Sequence, residues 1–157
     1  MAEQAAEQQP QFQLQRIYIK DLSYEAPKTP RLFKEQWQPD VNLEINNSAE
    51  LIEDDIHEVV LTVTVTVKNG DTVAFIVEVA QAGLFLLSGV EGIQKEGVLK
   101  GTCPNILFPY ARETISDLVA RGTFPQFLLQ PINFEAAFAE NMRKQQEQAE
   151  NKAESTH

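Results

Sequence analysis

The 157-residue sequence is poor in the side chains that carry metal and nucleophile chemistry. It contains one cysteine, Cys103, and two histidines, His57 and His157, and neither histidine stands in a metal-ligand spacing with the cysteine. A single cysteine cannot form an internal disulfide, which agrees with a reducing compartment. His57 shares a strand face with Val59 and Leu61, so we expect a packed residue there. We therefore predict no catalytic residue, no metal and no cofactor.

Long apolar runs are also missing. No stretch approaches the roughly 18 consecutive apolar residues that a membrane span requires. The N-terminus, MAEQAAEQQ, has neither the basic start nor the apolar run of a signal peptide. We expect a cytoplasmic protein that does not insert directly into membranes.

Basic residues are scarce, with 13 Lys and Arg against 23 Asp and Glu, for a net charge of -10. Between Glu35 and Glu91 the only base is Lys68. A strongly negative chain repels the phosphates of nucleic acids, so we expect no nucleic acid partner. A basic protein partner is favoured instead.

Two short segments come close to ligand-binding motifs and fail. A phosphate-binding loop needs lysine and a hydroxyl after its second glycine, but Gly92–Leu99 has Val98 and Leu99 there. The acidic residues between positions 53 and 58 lack the spacing and the glycine of a calcium loop. Neither nucleotide hydrolysis nor calcium binding is predicted.

The first half of the chain alternates apolar and polar residues, which is typical of β-strands. The clearest case is LTVTVTV, Leu61–Val67, and similar patterns occur near residues 12–26, 41–45 and 72–87. The turn sequence KNGD, Lys68–Asp71, predicts a tight hairpin. Four strands before any strong helix predict an α+β fold, with a four-stranded antiparallel sheet and helices packed on one face.

The first strand departs from strict alternation. Ile17, Tyr18 and Ile19 stand side by side, which places apolar side chains on both faces. A strand that is apolar on both sides suggests burial in an assembly.

The second half predicts two helices. PYARETISDLVARG carries an apolar stripe, with Pro109 suited to the entry and Gly122 to the exit. Asn133 is suited to cap a last helix. Three glycines between Glu91 and Thr102 weaken the case for a helix there.

Composition divides the chain into three parts. Residues 1–11 form a flexible polar leader, residues 12–142 form the folded domain, and residues 143–157 form a mobile polar tail.

Large apolar side chains also occur in segments predicted to be irregular. Prolines bracket Leu32, Phe33 and Trp37, and further apolar residues lie in Asn105–Phe108 and Phe124–Gln130. These side chains either cap the core or line a groove that binds other apolar chains. The pattern alone leaves both interpretations open.

At CPNILFPYARE, Cys103–Glu113, the sequence resembles SecB, the bacterial protein-export chaperone family. The segments FQLQRIYIKDLSYEAP, WQP, HEVVLTVTV, EGIQ, RGTFP and PINF follow in the family's order. The resemblance covers roughly Phe12 to Phe138.

The resemblance implies a homotetramer built as a dimer of dimers. It also implies an ATP-independent holdase, a chaperone that keeps unfolded precursor proteins competent for export and passes them to the motor SecA. The residues that match the family's SecA-docking positions are Asp21, Glu25, Ile76 and Glu78. Those that match its tetramer-forming positions are Val77, Val79 and Gln81. The expected client-binding residues are Leu32, Phe33, Trp37, Leu43, Phe108, Phe124 and Phe138.

Alternation along the fourth strand separates the SecA-docking residues from the tetramer-forming residues. Val77, Val79 and Gln81 share one face of the fourth strand, whereas Ile76 and Glu78 share the other. In the third strand, by the same logic, the threonines face outward, toward the motor, together with Val60. The aliphatic residues from Leu61 to Val67 face the helices.

Two rival functions remain open at this point. One is an oligomeric adaptor that bridges partners without holdase activity. The other is a small cytosolic enzyme that uses Cys103 as its nucleophile.

Overall fold

The computed structural model describes residues 9–155, in which one four-stranded antiparallel sheet carries the helices. The strands lie in the order β1-β4-β3-β2. Their bounds are β1 Gln11–Glu25, β2 Pro39–Glu53, β3 Ile56–Asn69 and β4 Thr72–Ser88. A short 3-10 helix, Arg31–Lys34, precedes β2, and the helices are α1 Gly92–Gly97, α2 Cys103–Arg121 and α3 Phe134–Glu154. The α+β prediction is confirmed.

The third strand shows the expected two-sidedness. Val59, Leu61, Val63 and Val65 are fully buried, whereas the threonines between them are only half-buried. Each buried aliphatic side chain stabilises the fold by about 1.5–3 kcal/mol relative to an exposed one. We call the buried side of the sheet the inner face and the opposite side the outer face.

The fourth strand follows the same parity. Phe75, Val77 and Val79 are buried on the inner face, and Ile76 and Glu78 are half-buried on the outer face. The helix α2 lies across β4 and β3 and buries its own apolar stripe against them. The members of that stripe are Leu107, Phe108, Ala111, Ile115 and Val119.

The hairpin between β3 and β4 forms where the sequence predicts it. Asn69 pairs with Thr72, and Gly70 has a φ of 64°, a left-handed conformation that glycine adopts without steric cost. The strands β1 and β2 are the two edges of the sheet, and within residues 9–155 each of them pairs with only one neighbouring strand.

The strand β1 contains two bulges, on either side of Ile17, Tyr18 and Ile19. Between the bulges these three residues alternate regularly, so Ile17 and Ile19 face inward and Tyr18 faces outward, as the sequence predicts. The register of β1 against β4 shifts between Leu14 and Arg16 and again between Ile19 and Asp21. Each shift restores the alternation, so one row of apolar side chains faces inward along the whole strand. Much of this row is exposed in the single chain: Phe12 by 43%, Leu14 by 38%, Ile19 by 48% and Leu22 by 41%.

The start of α2 differs from the prediction. Pro109 lies inside the helix rather than at its entry, and Asn105–Phe108 is helical rather than irregular. The helix begins at Cys103, directly after a π-helical turn, Val98–Thr102, that joins it to α1. Pro104 stands in the first turn, where a missing N–H costs little. The predicted exit at Gly122 is confirmed.

The last helix begins as predicted and extends further. The Asn133 side chain accepts a hydrogen bond from the backbone N–H of Ala136 at 3.0 Å. The helix continues to Glu154, so residues 143–154 of the expected tail are helical, and residues 143–155 are all exposed. Their mobility stays a prediction. Residues 1–8 of the leader lie outside the described part of the chain.

The α3 helix packs closely on the π-helical turn. A methyl group on Gly101 would lie 3.1 Å from the Cα atom of Glu135, whereas one on Gly97 would lie 3.5 Å from the ring of Phe138. The Thr102 hydroxyl donates to the Glu135 carboxylate at 3.1 Å.

No helix within residues 9–155 is long and apolar enough to cross a membrane.

Replacing Gly101 with alanine should therefore loosen α3. We expect Gly101→Ala to lower the free energy of unfolding by about 1 kcal/mol through overpacking. Gly97→Ala is the matched control, and it should be neutral or stabilise by about 0.5–1 kcal/mol, because its new methyl makes an ordinary contact. Chemical denaturation of both variants, with amide exchange along α3, measures the difference. Equal stabilities would show that the close crossing at Gly101 does not constrain α3.

Candidate functional site

Four aromatic side chains meet at one end of the inner face. The Phe124 ring lies 4.9 Å from Phe75, 5.5 Å from Trp37 and 5.5 Å from Phe33, measured between ring centroids. These distances are typical of favourable aromatic contacts. Phe33 is nevertheless 50% exposed, so the cluster presents an apolar surface to solvent.

The loop that carries Trp37 is held by Asn69 at the end of β3. The Asn69 side chain accepts a hydrogen bond from the Gln38 N–H at 2.7 Å and donates one to the Gln36 carbonyl at 3.0 Å. Asn69 is buried, where such bonds are hard for water to replace. The clamp fixes the indole of Trp37 against Phe124.

An apolar groove runs from this cluster along β2. Val41 and Leu43 pair with the inward-facing Val67 and Val65, so both lie on the inner face. They are 41% and 38% exposed, because α2 packs on β3 and β4 and leaves β2 uncovered there. A cavity of about 90 Å³ opens between Trp37, Val41 and Phe127. We call this surface, made by Phe33, Trp37, Val41, Leu43, Phe124 and Phe127, the β2 groove.

The structure brings together four of the seven expected client-binding residues. Phe33, Trp37, Leu43 and Phe124 line the β2 groove, whereas Leu32 is buried in the core. The other two contact α3 or the helical turns beneath it. Phe108 packs against Phe134 with ring centroids 5.8 Å apart, and Phe138 lies beside Gly97.

Sequence reasoning missed Val41 and Phe127 as groove residues, and it missed Phe75 as the member of the aromatic cluster on which Phe124 packs. Val41 has the same strand parity as Leu43, so the alternation in VNLEI was a sufficient signal for it. Phe75 shares its face with Val77, but nothing in the sequence indicates that Phe124 packs on it. Phe127 lies in an irregular segment, whose path cannot be read from periodicity.

The four expected SecA-docking residues all lie on the outer face, in three adjacent rows of the sheet. Asp21 pairs with Ala80, Ser23 with Glu78, and Glu25 with Ile76. The Thr64 hydroxyl, opposite Glu78 on β3, donates to the Glu78 carboxylate at 3.2 Å. The threonines of β3 therefore place hydroxyl groups beside the carboxylates on the outer face.

Further along the outer face, Glu58 joins two groups of β1. It accepts hydrogen bonds from the Tyr18 hydroxyl and from the Lys20 ammonium, the latter at 2.8 Å. The hydrogen bond from Lys20 is the main cause that lowers the pKa of Glu58. Burial, followed by the neighbouring Glu58, raises the pKa of Tyr18 to about 12. The charge of Lys20 is thus offset within this network.

The three expected tetramer residues lie inside the chain. Val77, Val79 and Gln81 are buried on the face that α2 covers. An effect of these residues on assembly would have to be transmitted by the elements that pack on them, α2 and β1. Gln81 also donates a hydrogen bond from Nε2 to the Tyr18 carbonyl at 3.1 Å.

Cys103 is buried in the core, and burial raises its pKa to about 12. The thiol is therefore protonated at neutral pH, whereas a nucleophile acts as the thiolate. His57 is also buried, and its Nδ1 atom has no hydrogen-bond partner within the described residues. Burial, with a further contribution from Lys95, lowers its pKa.

Comparisons with known proteins agree on one family. A family model described as preprotein translocase subunit SecB matches residues 5–145. The protein-export protein SecB of Ectopseudomonas mendocina is 53% identical over 146 residues, covering 93% of this chain and 91% of the relative. SecB of Pseudomonas syringae pv. syringae is 54% identical over 141 residues, covering 90% of this chain and 87% of the relative.

A solved structure shares the fold. It is a SecB-like chaperone of Mycobacterium tuberculosis in complex with an antitoxin peptide. It superposes with a TM-score of 0.66 at 17% identity and covers 78% of this chain and 91% of the other.

The environment of His57 predicts a pH dependence of stability. Its pKa lies below the value of 6.5 found in unfolded chains, so folding favours the neutral ring. The stability that depends on this neutral ring is complete above pH 6.5 and decreases as the pH falls below it. Thermal unfolding of the wild type and of His57→Phe should show a steeper loss for the wild type as the pH falls below about 6.5. Parallel curves would contradict this assignment.

Proposed function

The chain belongs to the SecB family, and from that premise we propose an ATP-independent holdase that binds unfolded precursor proteins and delivers them to SecA. A chaperone role in protein export is what the named relatives share. The single observation that carries the holdase activity is the β2 groove, an apolar surface left open on a folded chain. An exposed apolar surface of this kind is typical of a protein interaction site.

The groove suits clients of many sequences. Apolar burial contributes about 25 cal/mol per Å² whatever the order of the side chains that are buried. The free edge of β2 adds backbone donors and acceptors, which an extended client segment can use without sequence preference. Release then needs only competition for the same surface, so no nucleotide is required.

The apolar row on β1 supports a homotetramer built as a dimer of dimers. Phe12, Leu14, Ile19 and Leu22 are exposed at a free sheet edge, an arrangement that natural proteins rarely leave uncovered. A second copy that covers this row would bury it. Tyr110 on α2 is also 50% exposed, so the helix layer offers a further contact surface. Val77 and Val79 would then act on assembly through α2, which packs on them, and Gln81 through β1, whose Tyr18 carbonyl it binds.

The outer face is the proposed docking surface for SecA. Asp21, Glu25 and Glu78 place three carboxylates on one face of the sheet, around Ile76. The net charge of -10 favours a basic partner, which the carboxylates would recognise and the apolar side chain would anchor. A cytoplasmic location follows from a task that precedes export.

No second function is favoured. An enzyme that uses Cys103 would need an accessible thiolate, but this thiol is buried and protonated. An adaptor without holdase activity would not need the exposed aromatic and aliphatic side chains of the β2 groove.

Client binding should depend on the exposed members of the groove. We expect Phe33→Ser with Leu43→Ser to weaken the suppression of aggregation of an unrelated unfolded protein by about tenfold, with no nucleotide present. Ile52→Ser is the matched control, because Ile52 lies on the same strand, is 51% exposed and is outside the groove. An equal loss of aggregation suppression in the double variant and in Ile52→Ser would show that the β2 groove does not bind clients. Absence of suppression by the wild type would favour the adaptor.

SecA docking should depend on the charge of the outer face. We expect Glu78→Lys to abolish SecA binding while the tetramer stays intact, because Glu78 points away from the buried face of β4. Glu50→Lys makes the same change of charge near the other end of the outer face, opposite Glu58, and should bind SecA nearly as well as the wild type. Binding is measured by calorimetric titration and mass by light scattering. If Glu78→Lys binds SecA with unchanged affinity, SecA does not dock on the outer face.

A further inference from the structure

Gln81 is a polar residue in an apolar row. On the inner face of β4 it stands between Val79 and Gly83, with Val77 and Phe85 beyond them; all four are buried, and Gln81 itself is only 3% exposed. Burying an amide among aliphatic side chains is unfavourable unless the amide is hydrogen-bonded. The bond that Gln81 makes from Nε2 ends on the backbone carbonyl of Tyr18, on the neighbouring strand.

This bond lies beside the second bulge of β1. Ile19 pairs with Gln81 and Asp21 pairs with Ala80, so Lys20 is an extra residue without a partner on β4. A bulge interrupts the backbone ladder and changes the side to which the following residues point. Gln81 therefore contacts β1 at the point where its alternation is reset.

The bulge decides which face carries two of the docking carboxylates. Ile19 faces inward, because it pairs with the inward-facing Gln81. In a strand without an extra residue, period-two alternation would turn Asp21 and Glu25 inward as well and would turn Leu22 outward. With the bulge, Asp21 and Glu25 share the outer face with Glu78.

We infer that Gln81 is a positioning residue, which holds the β1 bulge and so presents Asp21 and Glu25 on the outer face. On the outer side of the same bulge, Lys20 pairs with Glu58, but Lys20 is 52% exposed and such ion pairs contribute little. The buried amide bond is shielded from water and is the stronger restraint. The functional part of this inference rests on the proposed docking of SecA.

The test removes the amide and, separately, the bulge. Gln81→Leu keeps the side-chain volume close to that of glutamine and removes the donor. Deletion of Lys20 leaves Ile19 opposite Gln81 and Asp21 opposite Ala80, so it gives a regular strand with the same side-chain directions. Gln81→Leu is then made both in the full chain and in the chain that lacks Lys20.

Two quantities are measured in the assembled protein. The first is amide hydrogen exchange at residues 19–22, followed by nuclear magnetic resonance. The second is the affinity for SecA. In the full chain we expect Gln81→Leu to speed exchange and to weaken SecA binding, each by about three- to tenfold. In the chain without Lys20, the same substitution should change neither quantity by more than about twofold.

A matched comparison separates positioning from general loosening. In the Gln81→Leu background, Asp21→Asn should weaken SecA binding less than it does in the wild type, because Asp21 is already misplaced. Glu78→Gln should weaken it equally in both backgrounds, because Glu78 lies on β4. Unchanged exchange in Gln81→Leu would overturn the inference, and so would an equal effect of Gln81→Leu with and without Lys20.

The remaining outcomes distinguish this inference from the docking proposal. Faster exchange with unchanged SecA affinity, in a protein whose affinity does depend on Asp21, would overturn the link between the bulge and docking. If SecA affinity depends on none of Asp21, Glu25 and Glu78, the docking proposal fails. Faster exchange that disappears on deletion of Lys20 would then still establish that Gln81 holds the bulge.

Discussion

The rest of the structure depends on one difference in width: a single α-helix is narrower than a four-stranded sheet. An α-helix with its side chains is about 10 Å across, and neighbouring strands are about 4.8 Å apart, so one helix covers about two strands. Here α2 covers β4 and β3, whose inward-facing aliphatic side chains are buried. The two edge strands, β1 and β2, therefore have inward-facing apolar side chains that α2 leaves largely uncovered.

These two uncovered rows differ in ways that suit different partners. The row on β1 lies along a long strand edge and is made of separate aliphatic and aromatic side chains, which a second copy of the chain can cover. The row on β2 is joined to the aromatic cluster around Phe124 and to the loop that Asn69 clamps. A rigid apolar wall beside a free edge suits an extended, unfolded client. The threonine face of β3 stays outside both contacts and remains polar.

Period-two alternation predicted most of what depends on strand parity. The opposite directions of Val77 and Glu78 and the inward direction of the aliphatic residues of β3 follow from the side-chain period alone. The bulges of β1 could not be predicted, because they depend on contacts across the sheet, such as the one from Gln81 to Tyr18. The helical start of α2 was missed because Pro109 is suited to a helix entry, and Gly101 weakened the case for the helical turns before Cys103. The close approach of Glu135 explains why residue 101 is glycine, and this tertiary contact cannot be read from the local sequence.

We propose that one sheet keeps its two partners on opposite sides, with SecA on the threonine face and the apolar contacts on the aliphatic face. Methyl resonances of Thr62, Thr64 and Thr66, compared with those of Val63, Val65 and Val67, test it within a single strand. On titration with SecA we expect the threonine methyls to shift or broaden while the interleaved valine methyls stay unchanged. Equal perturbation of both sets, or perturbation of the valines alone, would contradict the division of the sheet into two functional faces.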